Sequence, residues 1–64
     1  MNLRDLLGRH VVVRFASGHG IAGTVVRAGW RWIELALPDL TRIHVRRRRI
    51  DYIAVEPKKE ETRG

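Results

Sequence analysis

The chain has 64 residues and no cysteine, which excludes a multi-domain enzyme, a disulfide framework and a thiolate zinc site. A chain this short buries only about 60% of the surface its unfolded form exposes, so one small domain with a minimal core is the ceiling, and oligomerisation is the remaining support for such a core. Thirteen Lys and Arg against seven Asp and Glu leave a net charge of +6, and all but two of the thirteen are arginine, so nucleic acid is the first partner to expect and another anionic surface the second.

The opening reads as a short helix over about 2–7, with Asn2 as N-cap, Asp5 three residues on, Leu3, Leu6 and Leu7 at helical spacing, and Gly8 as the stop. The period then changes. His10–Ala16 is β-branched and aromatic, Ser17-Gly18-His19-Gly20 supplies a turn, and Ile21–Ala28 resumes as the second strand of a hairpin. Gly23 inside that strand predicts a bulge or sharp bend. A break at Ala28-Gly29 leads into a third strand, 30–37, with Ile33, Leu35 and Leu37 on one face and Trp30, Trp32 and Glu34 on the other. Pro38-Asp39 ends it. Thr41–Arg46 alternates, Thr41, Ile43 and Val45 inward and Arg42, His44 and Arg46 outward. Four arginines, Arg46 to Arg49, lead to a fifth strand, 50–55, without clean alternation. From Glu56 to Gly64 no residue is apolar, and a disordered charged tail is expected. No apolar run reaches the roughly 20 residues of a membrane span, and Asn2, Arg4 and Asp5 occupy the place of a signal peptide's apolar stretch. The expectation is a soluble, cytoplasmic protein.

One domain over 1–55 follows, mainly β, with a short N-terminal helix and five antiparallel strands. Five short, bent strands close most naturally into a small barrel, because an open sheet of that size leaves two exposed edges.

Two local signatures resemble the Sm/LSm family of RNA-binding rings. The first is Leu6-Leu7-Gly8-Arg9-His10-Val11-Val12-Val13 continuing through Gly18 to Gly23. The second is Val45-Arg46-Arg47-Arg48-Arg49-Ile50-Asp51-Tyr52-Ile53, similar to the family's C-terminal block. The resemblance covers residues 2 to 55 and implies an SH3-like (Sm-like) barrel, a homo-oligomeric ring of five to eight subunits, and single-stranded RNA as ligand. It also implies that the turn holding Trp30 and the Arg46–Arg49 turn meet at a central pore. In such rings the fourth strand of one subunit pairs with the fifth of the next, and Leu40, Ile43, Ile53 and Val55 are the apolar residues expected there. The same residues would serve equally to close the barrel within one chain. Where family members carry an Asp and a Met-Asn pair, this chain has Ala28-Gly29-Trp30-Arg31-Trp32, and the Gly after the family Arg is Arg47. A uridine pocket of the family's usual type is therefore not implied. Stacking and charge are.

Residues two apart in a strand share a face, so Trp30 and Trp32 would project together as a platform for unpaired bases, with Arg31 pointing away. The alternative is that the two indoles plug the barrel end, or that one is buried and one exposed. Arg46, Arg47, Arg48 and Arg49 would hold a single-stranded backbone, since four adjacent arginines repel one another without a polyanion. His10, His19 and His44 fall one to an element and show no metal spacing. Ser17 has only His19 as a general base, and Asp5, Asp39 and Asp51 lie on different elements, so no catalytic residue, metal or cofactor is expected. A second reading is a monomeric SH3-like adaptor that binds a protein partner in an aromatic groove at Trp30 and Trp32. A third is duplex DNA binding by charge alone.

Overall fold

Alternating β-branched residues, interrupted where turn chemistry appears, generate a mainly β fold. The computed structural model describes residues 2–57. Its elements in chain order are a 3-10 helix η1 (Leu3–Leu6), strands β1 (His10–Phe15), β2 (Gly20–Ala28), β3 (Trp32–Ala36) and β4 (Arg42–Arg46), a second 3-10 helix η2 (Arg47–Arg49), and β5 (Ile50–Val55). The five strands form one antiparallel sheet in the order β4-β3-β2-β1-β5, leaving β4 and β5 as its edges. Register slips between Val25 and Arg27 of β2, where it pairs with β3, and between Arg14 and Phe15 of β1, where it pairs with β5. Bulges of this kind bend a strand and raise its twist. The sheet thus curls over one core, to which every strand contributes: Val11, Val13, Val25, Ile33, Leu35 and Val45 are buried, with Ile53 and Val55 of β5 packed against them. Among the described residues no helix is long and apolar enough to cross a membrane.

The N-terminal helix is shorter and tighter than its leucine spacing suggests. Asn2 caps it as expected, its side-chain oxygen accepting from the Arg4 amide at 3.0 Å. At three residues per turn Leu3 and Leu6 fall on one face and are buried, while Leu7 is 50% exposed. Gly8 stops the helix at φ 79°. Its N–H donates to the Val25 carbonyl at 2.8 Å, and the Val25 N–H donates to the Arg9 carbonyl at 3.0 Å. The helix is thereby fastened beside the β2 bulge.

Four other expectations are corrected. Gly23 is not at a bulge: it pairs regularly with Val11, and a Cβ there would stand 2.9 Å from the Ala36 carbonyl oxygen, so glycine is needed because β3 approaches closely. The third strand begins at Trp32 rather than Trp30, and the arginine run is not one turn: Arg46 ends β4 and Arg47–Arg49 form a 3-10 helix. Thr41 is exposed rather than inward, because it closes the Leu37–Thr41 turn, its carbonyl accepting from the Leu37 N–H at 2.8 Å. Of the expected tail, residues 58–64 lie outside the described residues; Glu56 is tied to β1, its N–H donating to the His10 carbonyl at 3.0 Å.

Candidate nucleic-acid interface

Trp30 and Arg31 form the tip of the β2–β3 hairpin, closed by the Gly29 N–H donating to the Trp32 carbonyl at 2.9 Å. With the strand starting only at Trp32, parity does not set Trp30. Its indole is 71% exposed. Trp32 is half-buried and lies across Gly29, where a side chain would collide with its indole nitrogen. Of the alternatives open in the sequence, one indole half-buried and one exposed is what the fold adopts. The two still share one shallow hollow of about 490 Å³, lined also by Arg4 of η1, Arg27 of β2 and Arg31.

Trp32 is held from two sides. Its ring lies 4.6 Å from that of His44, tilted by 37°, and the Arg27 guanidinium carbon stands 5.8 Å from its centroid, within cation–π range. Glu34, one pair further along β3, takes Arg42 at 3.2 Å and Arg27 at 3.9 Å. Exposed pairs of this sort contribute little stability. Their effect is to hold Arg27 beside the indole.

The arginine run divides. Arg46 lies in β4 directly opposite Trp32, so the two side chains share a face. Arg47 anchors η2 to the tryptophan turn, its N–H donating to the Arg31 carbonyl at 2.7 Å. Arg48 and Arg49 belong to the other side of η2, where they line a hollow with Phe15, Ser17 and His19. Arg46 also lines a hollow with Arg48 and Arg49, beside Phe15 and His44. The fold therefore places Arg46 opposite Trp32 in the sheet and in one hollow with Arg48 and Arg49, while the hollow of Trp30 and Trp32 is lined by Arg4, Arg27 and Arg31.

Arg4, Arg27 and Arg31 were not legible as parts of this hollow. For Arg27 the cause is specific: counting by twos from the buried Val25 puts Arg27 inward, and the bulge at Val26 reverses that, placing Arg27 outside opposite Glu34. The apolar residues expected at a contact between copies divide as well. Ile43, Ile53 and Val55 pack against their own core, whereas Leu40 is 81% exposed. Ser17 and His19 do meet, Oγ to Nδ1 at 3.2 Å, and both are exposed. Among the described residues no group of three His, Cys, Asp or Glu could hold a metal ion. No protein-family model, curated protein or solved structure matches the chain.

Proposed function

We propose that the protein binds single-stranded RNA, stacking unpaired bases on Trp30 and Trp32 and holding the backbone with arginines, and that it does so as a cytoplasmic, Sm-like homo-oligomeric ring of five to eight copies. The observation that carries the reading is the exposed Trp30 sharing a hollow with Trp32, Arg4, Arg27 and Arg31, with Arg46 opposite Trp32 and η2 docked on the same turn. Aromatic faces serve any base, and guanidinium groups serve any phosphate. The assembly is supported by the two sheet edges: among the described residues β4 and β5 each have one side without a strand partner, and pairing between copies is the economical way to satisfy both.

Titrating single-stranded RNA into the protein while following tryptophan fluorescence tests the binding step. Quenching is expected, weakening steeply between 50 and 200 mM salt because several phosphates exchange counterions for arginine. Trp30→Ala should lower affinity by about 5- to 100-fold, the usual loss of one base stack. Quenching that ignores salt, or affinity unchanged in Trp30→Ala, defeats the reading. Replacing Arg46 to Arg49 by Ser should abolish RNA binding; retained binding of a protein partner with no RNA affinity in the parent protein would instead identify an adaptor. Light scattering of nuclease-treated protein tests assembly, and a monomer removes the ring.

A further inference from the structure

The hollow on the far side of η2 has its own chemistry. It measures about 640 Å³ and is lined by Phe15, Ala16, Ser17, His19, Arg48 and Arg49. Its floor comes from the end of β1 and its rim from the β1–β2 turn, in which the Gly18 N–H donates to the Phe15 carbonyl and the Phe15 N–H to the His19 carbonyl, both at 2.8 Å. Gly18 takes φ 99°, which lets this turn close in so few residues. The Ala16 N–H donates to the Arg49 carbonyl at 3.1 Å, so η2 is fixed to this turn at one end as it is fixed to the tryptophan turn at the other.

The lining contains two guanidinium groups, a hydroxyl, an imidazole and the edge of an aromatic ring, and no carboxylate. Ser17 Oγ stands 3.2 Å from His19 Nδ1. In the tautomer that accepts the Ser17 hydroxyl at Nδ1, the imidazole carries a donor at Nε2. The two guanidinium groups and the imidazole Nε2–H can donate to an anion, and the half-buried Phe15 offers an apolar surface beside them. A guanidinium pair recognises phosphate, and an aromatic wall next to it suits a base.

We propose that this hollow is a second nucleotide subsite, which takes a phosphate between Arg48 and Arg49 and the attached base against Phe15. The inference rests on the single-stranded RNA reading for its ligand class but uses none of the tryptophan hollow. The two anchored ends of η2 are two residues apart, about 4 Å along a 3-10 axis. One strand lying along the arginine run would therefore meet both hollows.

Adenosine 5′-monophosphate is the probe, followed by amide chemical shifts of the whole chain. The expected result is saturable shifts at Ala16, Ser17, Gly18, His19 and Arg49. Affinity should fall at least tenfold in the Arg48→Ser, Arg49→Ser variant and severalfold in Phe15→Leu, which keeps an apolar side chain where Phe15 meets the core. Inorganic phosphate should bind the same amides more weakly. The proposal is overturned if the nucleotide leaves these amides unmoved, if phosphate alone binds as tightly, or if either variant binds like the parent. Trp30→Ala separates the two readings: it should shift fluorescence quenching by RNA to higher RNA concentration and leave the nucleotide shifts at Ser17 to His19 intact.

Discussion

Gly29 shows how much the candidate interface depends on one missing methyl group. Trp32 lies over its backbone, so that a Cβ would displace the indole from its place between His44 and Arg27. Gly29→Ala should leave the strands intact, change the Trp32 emission and weaken single-stranded RNA binding by an amount approaching that of Trp30→Ala. Parent-like RNA affinity in a folded Gly29→Ala protein would show that the seated Trp32 does not take part. The two tryptophans were legible as a pair from their spacing, and their exclusion from the buried core agrees with a core made of aliphatic residues. Which of them is exposed was not legible, because alternation applies only inside a strand and Trp30 lies just before one.

The β1–β2 and β3–β4 hairpins are the same element made from different residues. In each, the N–H of the fourth residue donates to the carbonyl of the first at 2.8 Å, Gly18 to Phe15 in one and Leu40 to Leu37 in the other. Gly18 and Leu40 thus occupy equivalent left-handed positions, at φ 99° and 73°. A leucine there carries a strain of about 1–2 kcal/mol, with an 81% exposed side chain that returns little by burial. Leu40→Gly should raise the melting temperature by several degrees, the shift about 1 kcal/mol produces in a domain of this size. A lower melting temperature would mean that Leu40 is covered in solution, as the proposed ring requires of it. Asp39 in the same hairpin accepts the Thr41 N–H at 2.9 Å, and that bond holds its carboxyl below the ordinary 3.8. A depressed carboxylate adds stability that is fully present above its unfolded value and is lost as pH falls through the folded one. Asp39→Ala should therefore be less stable than the parent near neutrality, with the gap closing below about pH 4; thermal melts from pH 2 to 7 check the sign, and a gap that widens in acid contradicts it.

At the scale of the whole molecule, a single small core supports both hollows. Ile33 and Leu35 in β3 are fully buried, and cutting such a side chain to alanine costs about 2–5 kcal/mol. A domain under about 70 residues commonly has only 3–5 kcal/mol to lose. Leu35→Ala should therefore abolish cooperative thermal unfolding in the isolated chain, and a sharp transition within a few degrees of the parent's would show that assembly supplies the missing stability. By itself, the sequence determined the strand order along the chain, the positive charge, the presence of an aromatic pair and the turns between strands, because alternation, β-branching and turn chemistry act over a few residues. Only the tertiary structure decided which arginines stand beside the tryptophans and which stand apart. The β2 bulge sets the side on which Arg27 emerges, and two backbone hydrogen bonds, Arg47 to Arg31 and Ala16 to Arg49, place one run of arginines between two separate hollows. Bulges and long-range hydrogen bonds join residues far apart in the chain, and local periodicity carries no record of them.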